Sequence, residues 1–156
     1  VLEERARLLA RPEAAPPRGD ELEAVTFELG GERYAIESSY LLAVVRLVRP
    51  TLLPGADPTT YGVIAWRGEL LLIRDYRSLL GLPVLPRDDP GFVLVAGEDR
   101  PAFGILADAV GEFVRIPLSD VHALSGAETV GRGFVRGVTG GAVVVLDAIE
   151  LWNLHG

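Results

Sequence analysis

The stretch Tyr61–Pro83, YGVIAWRGELLLIRDYRSLLGLP, decides the fold. Apolar residues on both sides of a short Arg-Gly turn predict two strands, the second from Leu70 to Ile73. We expect Asp75 to end that strand and to cap a short helix from Tyr76 to Leu80, because its carboxylate can accept from free backbone N–H groups. Gly81 and the proline that follows would end the helix. The stretch therefore predicts strand, turn, strand and capped helical turn.

A shortened copy of this pattern closes the chain. The order of a Gly-Val pair, an apolar run and an aspartate in Gly62–Asp75 recurs in Gly137–Asp147. An earlier segment, Phe27–Ile36, likewise resembles Leu94–Ile105. Strand, glycine turn and strand can recur by chance, but two pairs in the same order favour a duplication. We interpret the chain as two similar β units, from about residue 23 to 82 and from about 91 to 154.

The remaining segments complete the outline. Residues 1–20 are predicted to form a short helix, Val1–Ala10, and a Pro-rich linker, so that the main domain covers 21–156. Tyr40–Val48 is apolar, and its β-branched end favours a strand. Three apolar residues near Gly111 would share an inward face only if a β-bulge lies there; these are Val110, Phe113 and Ile116.

Composition favours a mainly β protein. The 156 residues include 18 Gly and 11 Pro, and 49% are hydrophobic, which suits short strands joined by many turns around a real core. No apolar stretch approaches the roughly 20 residues that span a bilayer, and no secretion signal is apparent. We therefore expect a cytoplasmic protein without membrane insertion.

Charge and residue types exclude several functions. The net charge of −7 repels a phosphate backbone, which argues against nucleic acid as a partner. The absence of cysteine excludes disulfides and thiolate metal sites, and the absence of lysine excludes Schiff-base chemistry and the P-loop.

A search for a catalytic, metal or cofactor site yields no candidate that we retain. Ser119, Asp120 and His122 contain the atoms of a nucleophilic triad, but residues so close along a chain rarely converge. Asp88-Asp89 reads as an exposed turn, and Gly131-Arg132-Gly133 lacks the strand and helix of a phosphate loop. Asp75 and Asp147 are explained by helix capping, and His155 by its place beside the chain end. We expect no enzyme activity, no metal and no cofactor.

Arg67 is different, because it lies in a turn beside Trp66 with no acidic residue at helical spacing. A solvated turn arginine is one interpretation. Arginine and tryptophan are also the residue types most enriched at binding hot spots, so an interface is the other.

The order of these motifs resembles the CheW-like domain of bacterial chemotaxis adaptors. The resemblance runs from about Glu21 to Asn153, and the Arg-Gly turn is its most specific part. It is carried by Phe27-x-Leu29-Gly30, Tyr34-Ala35-Ile36, Gly62–Gly68, Ile73-Arg74-Asp75, Leu79-Leu80-Gly81 and Asp108-x-Val110-x-x-Phe113. It implies a mainly β fold of two interlocked five-stranded β-barrels of the Src-homology-3 type, without catalytic activity.

The resemblance also implies partners and a binding surface. Members bridge the cytoplasmic tip of a chemoreceptor and the regulatory domain of a histidine kinase, in arrays at the inner face of the membrane. The family's signalling arginine corresponds to Arg67, followed by Gly68, with Trp66 beside them. By position, Leu41 and Val44 correspond to the receptor-facing groove, although both could equally be core residues.

Several departures from the family pattern leave the partner open. Ala65 and Trp66 replace the family's Asn and Leu before the arginine, Tyr76 replaces a leucine, and Ala43 stands where members often carry an acid. Two alternatives therefore remain. One is a small-ligand-binding or enzymatic two-barrel protein with Trp66, Arg67 and Asp75 in a pocket. The other is a CheW-like segment of a larger signalling protein.

Overall fold

Strands dominate the computed structural model, which describes residues 20–53, 57–84, 89–123 and 133–154. The predicted helix at Val1–Ala10, His155 and most of the Gly131–Gly133 motif lie outside these ranges. The elements are β1 (Glu21–Leu29), β2 (Glu32–Glu37), β3 (Leu41–Arg46), β4 (Thr51–Leu52), β5 (Thr60–Trp66), β6 (Glu69–Arg74), β7 (Phe92–Gly97), β8 (Pro101–Ala107), β9 (Ala109–Pro117), β10 (Val135–Val138), β11 (Val144–Leu146) and the helix α1 (Ala148–Asn153). Single 3₁₀ turns at Ser38–Tyr40 and Leu118–Asp120 follow β2 and β9.

The strands form two mixed sheets. Sheet A has five strands in the order β10-β11-β2-β1-β9, and sheet B has six in the order β3-β7-β8-β6-β5-β4. The sixth strand of sheet B is the two-residue β4 at its edge. The predicted mainly β class is confirmed, and the extra edge strand is the one addition to the expected five strands.

The two sheets repeat the same arrangement. In sheet A, β11 pairs in parallel with β2; in sheet B, β6 pairs in parallel with β8. The order β10-β11-β2-β1-β9 thus corresponds to β5-β6-β8-β7-β3. Each sheet takes its central hairpin, β1–β2 or β7–β8, from one predicted unit and its other strands from the other unit. The interlocking expected from the resemblance consists of this exchange of hairpins.

Three apolar clusters hold the sheets together. One belongs to sheet A and includes Leu22, Ala35 and Val145, and a second belongs to sheet B and includes Leu71, Val93 and Leu106. The third cluster lies between the sheets. It joins Phe27, Leu29, Tyr34 and Ile36 of sheet A to Leu94, Phe103 and Ile105 of sheet B, and it includes Leu151 of α1. Burial of this shared surface ties the sheets into one body.

The bulge expected near Gly111 is present. Val25 pairs with Phe113 and Phe27 pairs with Val110, so β9 contains one residue more than β1 over this interval. The Thr26 hydroxyl fills the gap, since it accepts from the Glu112 N–H at 2.9 Å and donates to the Glu112 carbonyl at 3.3 Å. A side chain at position 111 would collide with that hydroxyl.

One expectation for this strand was wrong. Val110 and Phe113 pair with Phe27 and Val25 and so share one face of β9, although Phe113 is 44% exposed, whereas Ile116 is buried in the cluster of sheet A. The bulge brings Val110 and Phe113 to the same face, but Ile116 lies three residues further along a regular stretch of strand and therefore points to the other face.

Both aspartate caps are present, although only one caps a regular helix. Asp147 Oδ1 accepts from the N–H groups of Ile149 and Glu150 at the start of α1. Asp75 Oδ1 accepts from the Arg77 N–H at 3.1 Å, but residues 76–81 form a hydrogen-bonded turn instead of the predicted helix.

Gly81 ends the turn at Asp75 as expected. Its φ is +77°, its N–H donates to the Ser78 carbonyl, and the Leu82 N–H donates to the Arg77 carbonyl. This is the hydrogen-bond pattern of a Schellman motif, which stops the helix after one turn.

In the described part of the chain, no helix is both long and apolar enough to cross a membrane.

Candidate protein-binding surface

The Arg67-Gly68 pair forms the turn between β5 and β6. Trp66 pairs with Glu69 across the hairpin, so the turn contains two residues. Both have positive φ, +52° for Arg67 and +80° for Gly68, as in a type I′ hairpin turn, whose twist matches that of the flanking strands. Gly68 adopts this conformation without strain, whereas an arginine adopts it at a cost.

Arg67 is held against the tryptophan before it. Its guanidinium carbon lies 4.5 Å from the centroid of the Trp66 ring, within the range of a cation–π contact. Trp66 itself packs against the cluster of sheet B. The core thus orients the indole, and the indole orients the exposed charge of Arg67.

A shallow depression of about 390 Å³ adjoins this turn. We call it the Arg67 groove, and its walls are Leu42, Trp66, Arg67, Glu69, Asp99 and Arg100. Arg100 lies 3.6 Å from Glu69 at a largely exposed site. The surface therefore combines an aromatic ring, two arginines and two carboxylates, a composition suited to a polar protein contact.

A larger depression of about 630 Å³ lies between the edge strands of the two sheets. We call it the β3–β9 groove, and Leu41, Leu42, Val44, Phe92, Val110 and Phe113 supply its apolar side chains. Val44 is 42% exposed and Phe113 is 44% exposed, while Leu41 packs partly against the central cluster. An apolar groove with exposed large side chains is typical of a docking site.

The predicted site residues thus fall into two neighbouring groups. Trp66 and Arg67 lie in one groove, with Gly68 in the turn behind them, and Leu41 and Val44 lie in the other. Leu42 lines both grooves, although sequence reasoning passed over it. Phe113 was also missed as a surface residue, because the sequence pattern placed it on an inward face together with Val110 and Ile116.

Asp75 does not reach the Arg67 groove. Its carboxylate is buried and binds the buried guanidinium of Arg77, with Oδ2 at 2.7 Å from Nη2. Hydrogen bonding to Asp75 raises the pKa of Arg77 above its usual value. The structure therefore does not bring together Trp66, Arg67 and Asp75, the residues of the alternative ligand site.

The side chains of the other candidates from the sequence, His122, Asp120 and Asp89, contact neighbouring groups of the fold. His122 Nε2 lies 3.4 Å from Asp120 Oδ1, and that same oxygen accepts from the Gly140 N–H. Asp89 pairs with Arg46 at 3.1 Å and accepts from the Gly91 N–H. Within the described ranges, no group of three or more His, Asp or Glu side chains is arranged to hold a metal ion.

The model of the CheW-like domain family matches residues 23–154, which is most of the chain. The chain belongs to the CheW-like family. In this member of the family, alanine and tryptophan precede the arginine of the Arg67-Gly68 turn.

Known CheW proteins are similar to this chain at moderate identity. The chemotaxis protein CheW of Bacillus subtilis (strain 168) is 24% identical over 99 residues, which are 64% of each sequence. The chemotaxis protein CheW of Rhizobium meliloti (strain 1021) is 26% identical over 117 residues, 74% of this chain and 76% of the relative. The chain thus spans slightly less than two thirds of the first relative and about three quarters of the second.

A solved structure shares the fold. The crystal structure of the scaffolding protein TtCheW from Thermoanaerobacter tengcongensis superimposes with a TM-score of 0.69 at 20% identity. The match covers 80% of this chain and 88% of that protein. At this identity the likeness concerns the fold alone.

Proposed function

We propose that this chain is a non-catalytic chemosensory adaptor that couples chemoreceptor tips to the regulatory domain of a histidine kinase. Membership of the CheW-like family, whose named relatives are chemotaxis proteins, supports the adaptor role. The observation that carries the proposal is the apolar β3–β9 groove between the edges of the two sheets.

The β3–β9 groove is assigned to the receptor tip. A helical tip presents an apolar face, and the exposed parts of Val44 and Phe113 offer apolar surface to it. Full burial of such a side chain contributes roughly 1.5–3 kcal/mol. Val44 and Phe113 would then be two apolar anchors of the receptor contact.

The Arg67 groove is assigned to the kinase regulatory domain. Arg67 is positioned by Trp66 before any partner arrives, and such preorganisation lowers the entropic cost of binding. The described residues provide Arg67 with this ring contact and no ion pair, so its charge is available to a carboxylate of the partner.

Two pairs of variants separate the assignments in titration calorimetry against a purified receptor tip and a purified kinase regulatory domain. Val44→Asp should weaken receptor binding at least tenfold, about 1.4 kcal/mol, with kinase binding retained. Arg67→Glu should weaken kinase binding at least tenfold, with receptor binding retained. The matched controls are Val48→Asp and Arg33→Glu, which alter exposed residues outside both grooves.

Circular dichroism and thermal unfolding should show that all four variants are folded. The proposal fails if neither partner binds the wild-type chain, or if the control variants weaken binding as much as the groove variants. Equal loss of both partners in either groove variant would instead contradict the division of the two surfaces.

A further inference from the structure

A third groove lies at the opposite side of the β7–β8 turn from the Arg67 groove. We call it the Trp152 groove; it has a volume of about 470 Å³, and its walls include Tyr40, Glu98, Asp99, Phe103, Ile149 and Trp152. Asp99 and Arg100 line both this groove and the Arg67 groove. The two surfaces are thus continuous across one turn.

The floor of the Trp152 groove is a rigid aromatic platform. The Trp152 ring stacks on Phe103 with centroids 5.5 Å apart and an angle of 22° between the planes, and Phe103 belongs to the central cluster. The helix that carries Trp152 is anchored by the Asp147 cap and by buried Leu151. Even so, Trp152 and Ile149 are each 44% exposed. The fold therefore holds apolar side chains at the surface in a fixed position.

The rim of this groove carries negative charge without a partner in the described residues. Glu98 and Asp99 are exposed, and neither forms an ion pair or a side-chain hydrogen bond there. Arg100 also lines the groove, but its guanidinium lies 3.6 Å from the carboxylate of Glu69. A cationic group that entered the groove would meet two carboxylates.

Two partly exposed aromatic rings elsewhere in the structure are each covered by an arginine. Arg67 covers Trp66 at 4.5 Å, and Arg46 covers Phe92 at 5.1 Å. Among the described residues no arginine covers Trp152, whose ring is partly exposed while it stacks on Phe103. A tryptophan beside two free carboxylates provides the surroundings that a guanidinium or ammonium group prefers.

We infer that the Trp152 groove binds a protein segment in which an arginine or lysine stands beside a leucine-sized apolar side chain. The cation stacks on the Trp152 ring and meets Glu98 and Asp99, while the apolar neighbour contacts Ile149 and Tyr40. This is a third contact surface, which adjoins the one assigned to the kinase domain and shares Asp99 and Arg100 with it.

The test is a nuclear magnetic resonance titration of the ¹⁵N-labelled chain with the capped pentapeptide Leu-Arg-Leu-Arg-Leu. The chain has two tryptophans, so the indole N–H signal of Trp152 is readily assigned. We expect saturable shifts of that signal and of the backbone signals of Gly97–Arg100. The matched peptide Leu-Glu-Leu-Glu-Leu should bind at least tenfold more weakly.

Variants make the result specific. We expect two variants to lower the affinity for the arginine peptide at least fivefold each: the double variant Glu98→Gln/Asp99→Asn and the single variant Trp152→Leu. Glu28→Gln/Glu32→Gln, which neutralises two exposed carboxylates on sheet A, should bind as the wild type does. Arg67→Glu should also leave peptide binding within twofold, so this test is independent of kinase binding.

The inference is overturned if the arginine peptide causes no saturable shift at Trp152, or if the glutamate peptide binds equally well. It is also overturned if Glu98→Gln/Asp99→Asn retains full affinity in a folded protein.

Discussion

Arg67 has an unfavourable backbone conformation at the site where binding of the kinase domain is proposed. The first position of its turn favours asparagine or glycine, yet an arginine stands there with φ of +52°. A left-handed conformation costs a side chain such as arginine roughly 1–2 kcal/mol. Residues kept in unfavourable conformations cluster at functional sites, and the cation–π contact offsets part of this cost.

Arg67→Asn should therefore separate stability from binding. Asparagine tolerates positive φ, so the strain is relieved while the ring contact of about 0.5–1 kcal/mol is lost. We expect the free energy of unfolding in urea to stay within about 1 kcal/mol of the wild type. Binding of the kinase domain should fall at least tenfold in calorimetry. A fall in stability of more than about 2 kcal/mol would mean that Arg67 supports the fold instead.

Tyr76 makes stability depend on pH at the alkaline end. Its ring is 1% exposed and meets Phe103 edge-on at 6.5 Å. Burial raises the pKa of this phenol, because the phenolate is disfavoured in the interior. A group whose folded pKa is raised stabilises the fold below the unfolded pKa, about 10, and loses that contribution as pH rises beyond it.

Urea unfolding at pH 8, 10 and 11 measures this dependence. Between pH 10 and 11 the wild type should lose up to about 1.4 kcal/mol to the Tyr76 proton alone. Tyr76→Phe should lose less unfolding free energy over the same pH interval, because phenylalanine has no proton to release. Identical slopes in the two proteins would show that another group governs the alkaline loss.

At the scale of elements, the bulge in β9 is the feature that shapes the β3–β9 groove. It inserts a residue at Gly111, so that Val110 and Phe113 share the face that lines the groove, and the hydroxyl of Thr26 stabilises it from β1. One short strand irregularity thus links two partly buried hydrogen bonds to the proposed receptor-binding groove.

Thr26→Val should weaken the bulge with little change in side-chain size. The variant removes two hydrogen bonds and leaves the N–H and C=O of Glu112 without them, which costs about 1–3 kcal/mol in unfolding free energy. Receptor-tip binding should also weaken, whereas kinase binding should not. Thr26→Ser, which keeps the hydroxyl, is the control and should stay near the wild type in both measurements.

Local sequence patterns predicted most strands and turns, but the grooves could be located only from the three-dimensional structure. The Arg67-Gly68 hairpin, the bulge at Gly111 and the two aspartate caps follow from residue types at short spacing. Sequence reasoning missed the roles of Leu42 and Trp152, because each lies in a groove whose other wall comes from a distant part of the chain. Periodicity also failed for Ile116, which lies on the face opposite to Phe113, and it could not show that Phe113 on the edge strand stays partly exposed.

At the scale of the molecule, the exchange of hairpins makes the sheets mutually dependent. Sheet A needs β1–β2 from the start of the chain and β9–β11 from its end, and sheet B needs β7–β8 beside β5–β6. The central cluster joins both sheets. We therefore expect one cooperative unfolding transition for the whole domain.

Two fragments test this dependence. Residues 20–84 and residues 89–154 each lack strands that both sheets require, so neither alone should show near-ultraviolet circular dichroism or a cooperative transition in urea. Mixed in equal amounts, they should recover both signals. A cooperative transition in one isolated fragment would show that the repeat units fold independently.

The same exchange sets an order of events during synthesis. All strands of sheet B lie within residues 41–107, whereas sheet A is incomplete until β11 ends at residue 146. At about 5–20 residues per second, the nascent hairpin β1–β2 waits roughly 2–8 s longer than sheet B for its last neighbours. During that interval Phe27, Leu29, Phe103 and Ile105 have not yet completed their shared cluster. Slowing the ribosome on the codons for residues 108–146 should therefore increase aggregation of the nascent protein, even though the finished domain is unchanged.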